Sequence, residues 1–254
     1  MGIAYDKVLA ARKSDRASGS DYINNVFTDF IEFHGDRRFG DDTAIVAGVA
    51  RLGDIPVTVI AQEKGKDLKE KQERNYGMAH PEGYRKALRQ LKQAEKFGRP
   101  VVTFVDTSGA FCGIGAEERG QGLAIAENLF EMSSLKVPII SIVIGEGGSG
   151  GALGIALADE VWMLENSAYS VISPEGCATI LWKDAKRASD AADCLKLTAE
   201  DLQGFKVIEK IVPESDTLFA DLKALLTTKI KELQKLPVET LLENRYNKFR
   251  QIKG

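Results

Sequence analysis

Two glycine-rich segments, each set between a short apolar run and a helical one, constrain the fold of this chain more than any other feature. "VVTFVD" leads into "TSGAFCGIG" and then the helical "AEERGQGLAIAENLFEM". "VPIISIVIG" leads in turn into a second glycine cluster, a helix of small residues and the run "VWMLE". Short apolar strands alternating with helices imply parallel strands joined by right-handed crossovers, and hence an α/β domain. Upstream, "TAIVAGVARL" and "IPVTVIAQ" are β-branched runs separated by Gly53 and Asp54, which predicts a hairpin.

Helical spacing marks the remainder. Ser20 is placed to cap a helix that buries Ile23, Val26, Phe27, Phe30 and Ile31. Pro81 starts another, with Tyr84, Ala87, Leu88, Leu91, Ala94 and Phe97 on one face, and "FGRP" stops it. Leu218, Leu222, Leu225, Leu226 and Leu233 predict a long amphipathic helix, and "PVETLLENRYNKF" predicts a second, suited equally to a subunit interface or to the chain's own core.

With 254 residues the chain can bury a full core as one domain. A net charge of -3 argues against nucleic acid as a primary partner. No apolar run approaches the roughly 18 residues of a membrane span, and the N-terminal stretch lacks a signal core, so a cytoplasmic location without membrane attachment is expected. Cys112, Cys177 and Cys194 contain no C-x-x-C pair and are expected to be buried structural thiols. With His34 and His80 as the only imidazoles, no metal site is expected.

The second cluster, "VIGEGGSGGALGIALADEV" from Val143 to Val161, fits three motif templates at once. A phosphate loop needs a Lys and a hydroxyl residue after its second glycine, and "GALG" supplies neither. A dinucleotide fingerprint on Gly145, Gly147 and Gly150 needs a ribose-binding acid about 20 residues on, and Glu165 follows too closely. A nucleophile elbow centred on Ser149 needs a histidine base later in the chain, whereas both histidines precede it. What remains is a glycine-lined helix N-terminus, where free backbone N–H groups and the helix dipole favour a negative charge. Gly147 and Gly148 are the expected oxyanion donors. "DTSGAFCGIG" has the same construction, and its Gly109, Ala110, Phe111 and Gly113, with Ser149 and Gly150, are the expected substrate-binding residues. Ala152, Gly154 and Ala156 read instead as a close-packing face.

These residues closely resemble the α subunit of the carboxyltransferase component of bacterial acetyl-CoA carboxylase. The resemblance is carried in order by "FTDFIEFHGDRRFGDD", "QEKGKD", "RNYGMAHPEGYRKALR", "AEKFGRPVVTFVDTSGAFCGIGAEERGQG", "VIGEGGSGGALGIALADEVWMLE" and "YSVISPEGCATILWKDA". It implies a crotonase-like fold of repeated ββα units over residues 21–213, with an N-terminal extension at 1–20 and C-terminal helices at 214–254. It implies transfer of a carboxyl group from carboxybiotin to acetyl-CoA, giving malonyl-CoA for fatty acid biosynthesis. The implied partners are a β subunit in an α2β2 heterotetramer, a biotin carboxyl carrier protein that holds the biotin covalently, and biotin carboxylase. Both biotin and the thioester acquire negative charge on oxygen during the transfer, so two oxyanion holes are needed; the resemblance assigns the biotin-side hole chiefly to the α subunit, where Gly147 and Gly148 are the expected donors. The alternatives are a non-catalytic scaffold of the same fold and a serine hydrolase using Ser149.

Where the family pattern reads "DTPGAYPG", this chain has Ser108, Phe111 and Cys112, and "VPESDTL" replaces a glycine-rich stretch after Ile211. Gly35, Asp36 and Arg37 read as a structural Arg–carboxylate turn. The segment from Lys64 to Arg99 carries an excess of basic residues suited to phosphates, to an acidic carrier or to a solvated helix face. Cys177 reads as core, and Glu175 is placed near the site without an assigned role.

Overall fold

The computed structural model describes residues 2–252. Helices α1 (Ile3–Ala11) and α2 (Gly19–Val26) precede strand β1 (Thr28–Glu32) and the hairpin of β2 (Ile45–Leu52) and β3 (Ile55–Gln62). Next come α3 (Leu68–Glu73), α4 (Pro81–Lys96), β4 (Val101–Thr107), α5 (Ile114–Glu118), α6 (Gln121–Ser133), β5 (Ile139–Gly148) and α7 (Ser149–Ala156). The chain continues through β6 (Glu160–Leu164), β7 (Ala168–Ser170), α8 (Pro174–Trp182), α9 (Ala188–Leu195), α10 (Ala199–Gly204) and β8 (Lys210–Val212). It closes with α11 (Leu218–Leu233) and α12 (Val238–Gln251).

The strands form one sheet in the order β1-β2-β3-β4-β5-β6-β8, with β7 added beside the end of β5. β1, β2 and β3 pair antiparallel, and every pairing from β3 onward is parallel, as the strand–helix alternation predicts. Period-two alternation sends side chains of each central strand to opposite faces. Val101 and Val105 of β4 and Ile139 and Val143 of β5 join the core under α4, α6 and α7. Val102, Phe104, Ile140, Ile142 and Ile144 join the core under α2 and α11. α12 is pinned by Arg245, which is 1% exposed, donates to the carbonyls of Met132, Leu135 and Val137, and grips Asp159 at 2.8 Å.

Several local expectations are corrected. The second helix is capped by Ser18 in a reciprocal box with Asp21, not by Ser20, and it ends at Val26. Phe30 and Ile31 lie on β1, where pairing with β2 overrides a spacing that also suits a helix, and Ile31 is exposed. Phe97 caps α4 in solvent instead of extending its buried face. "AEERGQGLAIAENLFEM" is broken into α5 and α6 by Gly120, whose φ of 82° no helix interior holds. Of the cysteines only Cys177 is buried; Cys112 and Cys194 are exposed because their loop and helix face solvent.

Candidate active site

β4 and β5 run side by side and end together, which brings the two glycine segments into backbone contact. A Cβ on Gly148 would fall on the Ser108 carbonyl, and one on Gly151 would fall on the Gly109 carbonyl and the Ala110 N–H. Only glycine permits this approach. The first segment turns where the Thr107 hydroxyl takes the Gly109 N–H at 3.1 Å and donates to the Gly109 carbonyl at 2.6 Å. The Phe111 N–H is taken by the Ala79 carbonyl at 3.0 Å, and the Phe111 ring stacks on His80 with centroids 3.9 Å apart. The Phe111 N–H is therefore not a free backbone donor. Gly113 begins α5, its carbonyl accepting from the Ala116 and Glu117 N–H groups.

The second segment is strand up to the helix and not an open turn. Gly147 lies in the ladder opposite both Thr107 and Tyr169, and Gly148 lies opposite Ser170. The N–H groups that regular structure leaves unclaimed belong to the first turn of α7, at Ser149, Gly150 and Gly151. Ser149 makes the strand-to-helix corner with a φ of 52°, and its side chain is exposed. Neither histidine attends it: His34 Nδ1 meets Asp41 at 2.9 Å, and His80 Nδ1 meets Asn75 at 3.2 Å. The elbow thus has its backbone shape without a base.

Two hollows adjoin the corner. A cavity of 430 Å³, largely apolar, is lined by Ser149, Gly150, Leu153, Tyr169, Ser170, Val171, Leu202 and Val207. A smaller recess includes Arg12, Ser108, Glu146, Gly147, Gly148 and Ser170 in its wall. Gly109, Ala110, Phe111 and Gly113 line neither, although Ala110 touches the start of α7.

Behind the glycines lies an ionic chain that the sequence did not reveal. Lys64 Nζ is 2.7 Å from Asp106 Oδ1 and 3.1 Å from Glu146 Oε2. Arg12 bridges Glu146 at 2.7 Å to Glu175, also at 2.7 Å, and Glu175 accepts from the Tyr5 hydroxyl. Burial alone would depress the Lys64 pKa, but the Asp106 and Glu146 charges outweigh it and raise the ammonium above its ordinary range. Burial would likewise raise Glu146, yet Lys64 and Arg12 hold its carboxyl below the ordinary range. Gln62, wholly buried, spans the site: its Oε1 accepts the Asp106 N–H at 3.1 Å while its Nε2 donates to the Gly151 carbonyl at 2.8 Å. The Tyr84 hydroxyl donates to the same carbonyl at 3.1 Å. Gln62 and Lys64 are the first and third residues of the "QEKGKD" block, whose charge was legible but whose partners were not.

A family model described as acetyl co-enzyme A carboxylase carboxyltransferase-like matches residues 3–253. The chain belongs to that family. It is 61% identical over 253 residues to an acetyl-coenzyme A carboxylase carboxyl transferase subunit alpha of Ruminiclostridium cellulolyticum, covering 98% of this chain and 97% of the relative. It is 58% identical to a protein of Natranaerobius thermophilus named as the carboxyl transferase subunits beta/alpha; 98% of this chain covers 42% of that one. Among solved structures, transcarboxylase 12S superposes with a TM-score of 0.75 at 18% identity over 92% of this chain. This chain spans 45% of that one. A Pseudomonas malonate decarboxylase hetero-tetramer in complex with coenzyme A superposes with a TM-score of 0.67 at 16% identity, covering 82% of this chain and 86% of its counterpart. These likenesses show the crotonase-like fold. Family membership makes the chain a subunit of a carboxyltransferase, and the hydrolase reading has no support in the site.

Proposed function

We propose that this chain, paired with a β subunit, transfers a carboxyl group from carboxybiotin on a carrier protein to acetyl-CoA and so yields malonyl-CoA for fatty acid biosynthesis. The observation that carries the reading is the backbone contact of Gly148 and Gly151 with Ser108, Gly109 and Ala110, which sets the corner residues Ser149 and Gly150 in the wall of an apolar cavity. The cavity fits a flat apolar ring system with one polar edge, because its walls are Leu153, Val171, Leu202 and Val207 and its polar rim is the start of α7. Biotin supplies a carboxyl carried on nitrogen and, as that carboxyl leaves, a ureido oxygen that gains negative charge.

Gly147 and Gly148 bring the backbone up to that oxygen without side chains, and the donors are the N–H groups of the first turn of α7, at Ser149, Gly150 and Gly151. Preorganised donors of this kind stabilise developing charge without reorganisation. Ser149 holds the corner and performs no attack. Lys64, Asp106, Glu146 and Gln62 touch neither reactant in this reading; they fix the two strand ends that present the donors. Residues 1–254 act as one unit, with the first 20 residues serving the site through Arg12. Biotin stays covalently attached to the carrier protein, with biotin carboxylase completing the assembly, in the cytoplasm.

The β-subunit partner accords with the fused beta/alpha relative. No helix among the described residues is long and apolar enough to cross a membrane. The test is reconstitution of the chain with its β partner and a carboxybiotin-bearing carrier protein, reading malonyl-CoA formation. Turnover by the complex and none by the isolated chain is expected, and absence of turnover in a verified complex would overturn the reading.

A further inference from the structure

The geometry points to a second site, independent of the proposed carboxyl transfer: the hollow between residues 35–40 and α4 binds a small ligand through its phosphate groups. This hollow, of 370 Å³, is lined by Asp36, Arg37, Arg38, Arg85, Leu88, Arg89, Lys92 and Gln93 and shares no lining residue with the cavities at the glycine segments. Five of its lining residues are cationic and one is a carboxylate.

That carboxylate is already fully engaged. Asp36 Oδ1 accepts the N–H groups of Arg38, Phe39 and Gly40 at 2.8, 2.7 and 3.0 Å, and Oδ2 accepts Arg85 Nε at 2.7 Å. Asp36 thus folds the loop and neutralises Arg85. Asp41, the next nearest acid, is engaged by Lys86 at 2.6 Å, by the Gly35 N–H at 2.8 Å and by His34 at 2.9 Å. On the α6 side, Glu127 lies 3.6 Å from Arg38, and Glu131 lies 2.8 Å from Lys92.

Arg37 and Arg89 are left over. Arg37 Nη1 at 2.9 Å and Arg89 Nη2 at 3.1 Å converge on the same carbonyl, that of His34, and Arg89 Nε adds the Gly35 carbonyl at 3.1 Å. Among the described residues neither guanidinium has a carboxylate within ion-pair distance. Their proximity is unfavourable as it stands: burial first, and then the Arg37 charge, depress the Arg89 pKa, with Asp41 and Asp36 only partly opposing. The loop holds Arg37 there in the left-handed region, at a φ of 65° that a non-glycine residue seldom adopts. Backbone outliers of this kind concentrate at ligand sites.

An anion set between the two guanidinium groups relieves the repulsion and uses chiefly the remaining N–H donors of Arg37, because the Gln90 side-chain oxygen accepts from Arg89 Nη1 at 3.0 Å and Nη2 at 3.1 Å. Phosphate suits planar forks, which pair with it bidentately. The hollow exceeds one phosphate, so the ligand carries more than one phosphate or a phosphate with a further body.

The probe is pyrophosphate, titrated calorimetrically into the full chain at low ionic strength, with adenosine diphosphate in a parallel arm to separate a bare polyphosphate from a nucleotide-borne one. Saturable binding of one anion per chain is expected. It should weaken at least tenfold in Arg37→Gln and further in Arg37→Gln/Arg89→Gln, and remain unchanged in Lys231→Gln on α11. Arg37 is exposed, so its single variant keeps the test valid if the double variant melts early. Absence of saturable binding by both anions, or binding undiminished in both arginine variants, would overturn the proposal. Binding of polyglutamate without pyrophosphate would also overturn it, by reassigning the hollow to an acidic protein.

Discussion

Lys64 Nζ lies 2.7 Å from Asp106 Oδ1, and that same carboxylate oxygen accepts the Glu146 N–H at 2.9 Å, so one ion pair fixes the end of β4 to the end of β5. Both glycine segments begin within a few residues of this contact. The ammonium also reaches Glu146, which makes Lys64 the cation between a buried carboxylate, Asp106, and a partly buried one, Glu146. A buried pair contributes little over a well-packed apolar pair, but breaking one by removing a partner is costly because a charge is left behind.

Lys64→Gln should therefore destabilise the chain by about 3–5 kcal/mol, since it leaves Asp106 without its cation and Glu146 with Arg12 alone. Urea unfolding of the wild-type and variant chains measures it. Lys64→Gln combined with Glu146→Gln should recover part of the loss, and no recovery would argue that packing and not charge holds the strand ends.

Gln62→Leu should lower turnover of the assembled enzyme more than its melting point suggests. It removes the Asp106 N–H acceptor and the Gly151 carbonyl donor together, and each unsatisfied buried group costs about 1–3 kcal/mol. The Gly151 carbonyl keeps Tyr84 as a second donor, so the Asp106 N–H bears most of the loss. Turnover and thermal melting of the same preparation separate the two effects, and equal turnover would remove Gln62 from the positioning role.

Asp36 contributes to the acid limb of stability, alongside other carboxyls lowered in the fold such as Asp41. Burial opposes its charge, but the N–H groups of Arg38, Phe39 and Gly40 and the Arg85 guanidinium hold its pKa down to about 2. A carboxyl lowered from its unfolded value stabilises the fold above that value and stops doing so as pH falls through the folded one. The contribution, roughly 2 kcal/mol at neutral pH, should fade between about pH 4 and pH 2 and be absent in Asp36→Asn. Denaturation of both chains across that window measures it; parallel curves would refute it.

Ser149→Ala should leave turnover within about twofold of wild type, the effect of an ordinary surface change. Its hydroxyl is exposed, and both histidines are engaged elsewhere. Labelling of Ser149 by a serine-directed covalent probe, with loss of activity, would reopen the hydrolase reading.

How much of this was legible follows from the range of each interaction. The hairpin, α4 and the parallel strands announce themselves through local periodicity. "FTDFIE" does not, because Phe27, Phe30 and Ile31 satisfy helical spacing and only the β2 pairing makes a strand of them. The glycine run read as an open turn because β7, which pairs Gly147 with Tyr169 and Gly148 with Ser170, is recruited from beyond α7 and β6. Gln62 reaches Gly151 across 89 positions and Arg12 reaches Glu146 across 134, and no single-sequence pattern encodes such distances. The glycine segments at the strand ends were legible as a local pattern; the ionic support was not.

The two glycines nearest the corner separate packing from chemistry. Gly148→Ala forces a methyl onto the Ser108 carbonyl, so the strand ends must part and both stability and turnover should fall. Gly147 is similarly confined, its added Cβ lying 2.7 Å from Tyr169 Cδ2, so larger substitutions at either position test folding before function. Gly150 differs. A Cβ there meets nothing nearer than Ile125 Cδ1 at 3.8 Å, its φ needs no glycine, and it lines the 430 Å³ cavity. Gly150→Val should keep melting and partner binding near wild type while narrowing the cavity and displacing the reacting group from the α7 donors. Loss of one such donor costs about 10²- to 10³-fold in rate. The measurement is carboxyl transfer by the reconstituted complex, with co-purification as the control for assembly. Wild-type turnover in Gly150→Val would move the reaction away from the α7 corner and return its glycines to a purely structural role.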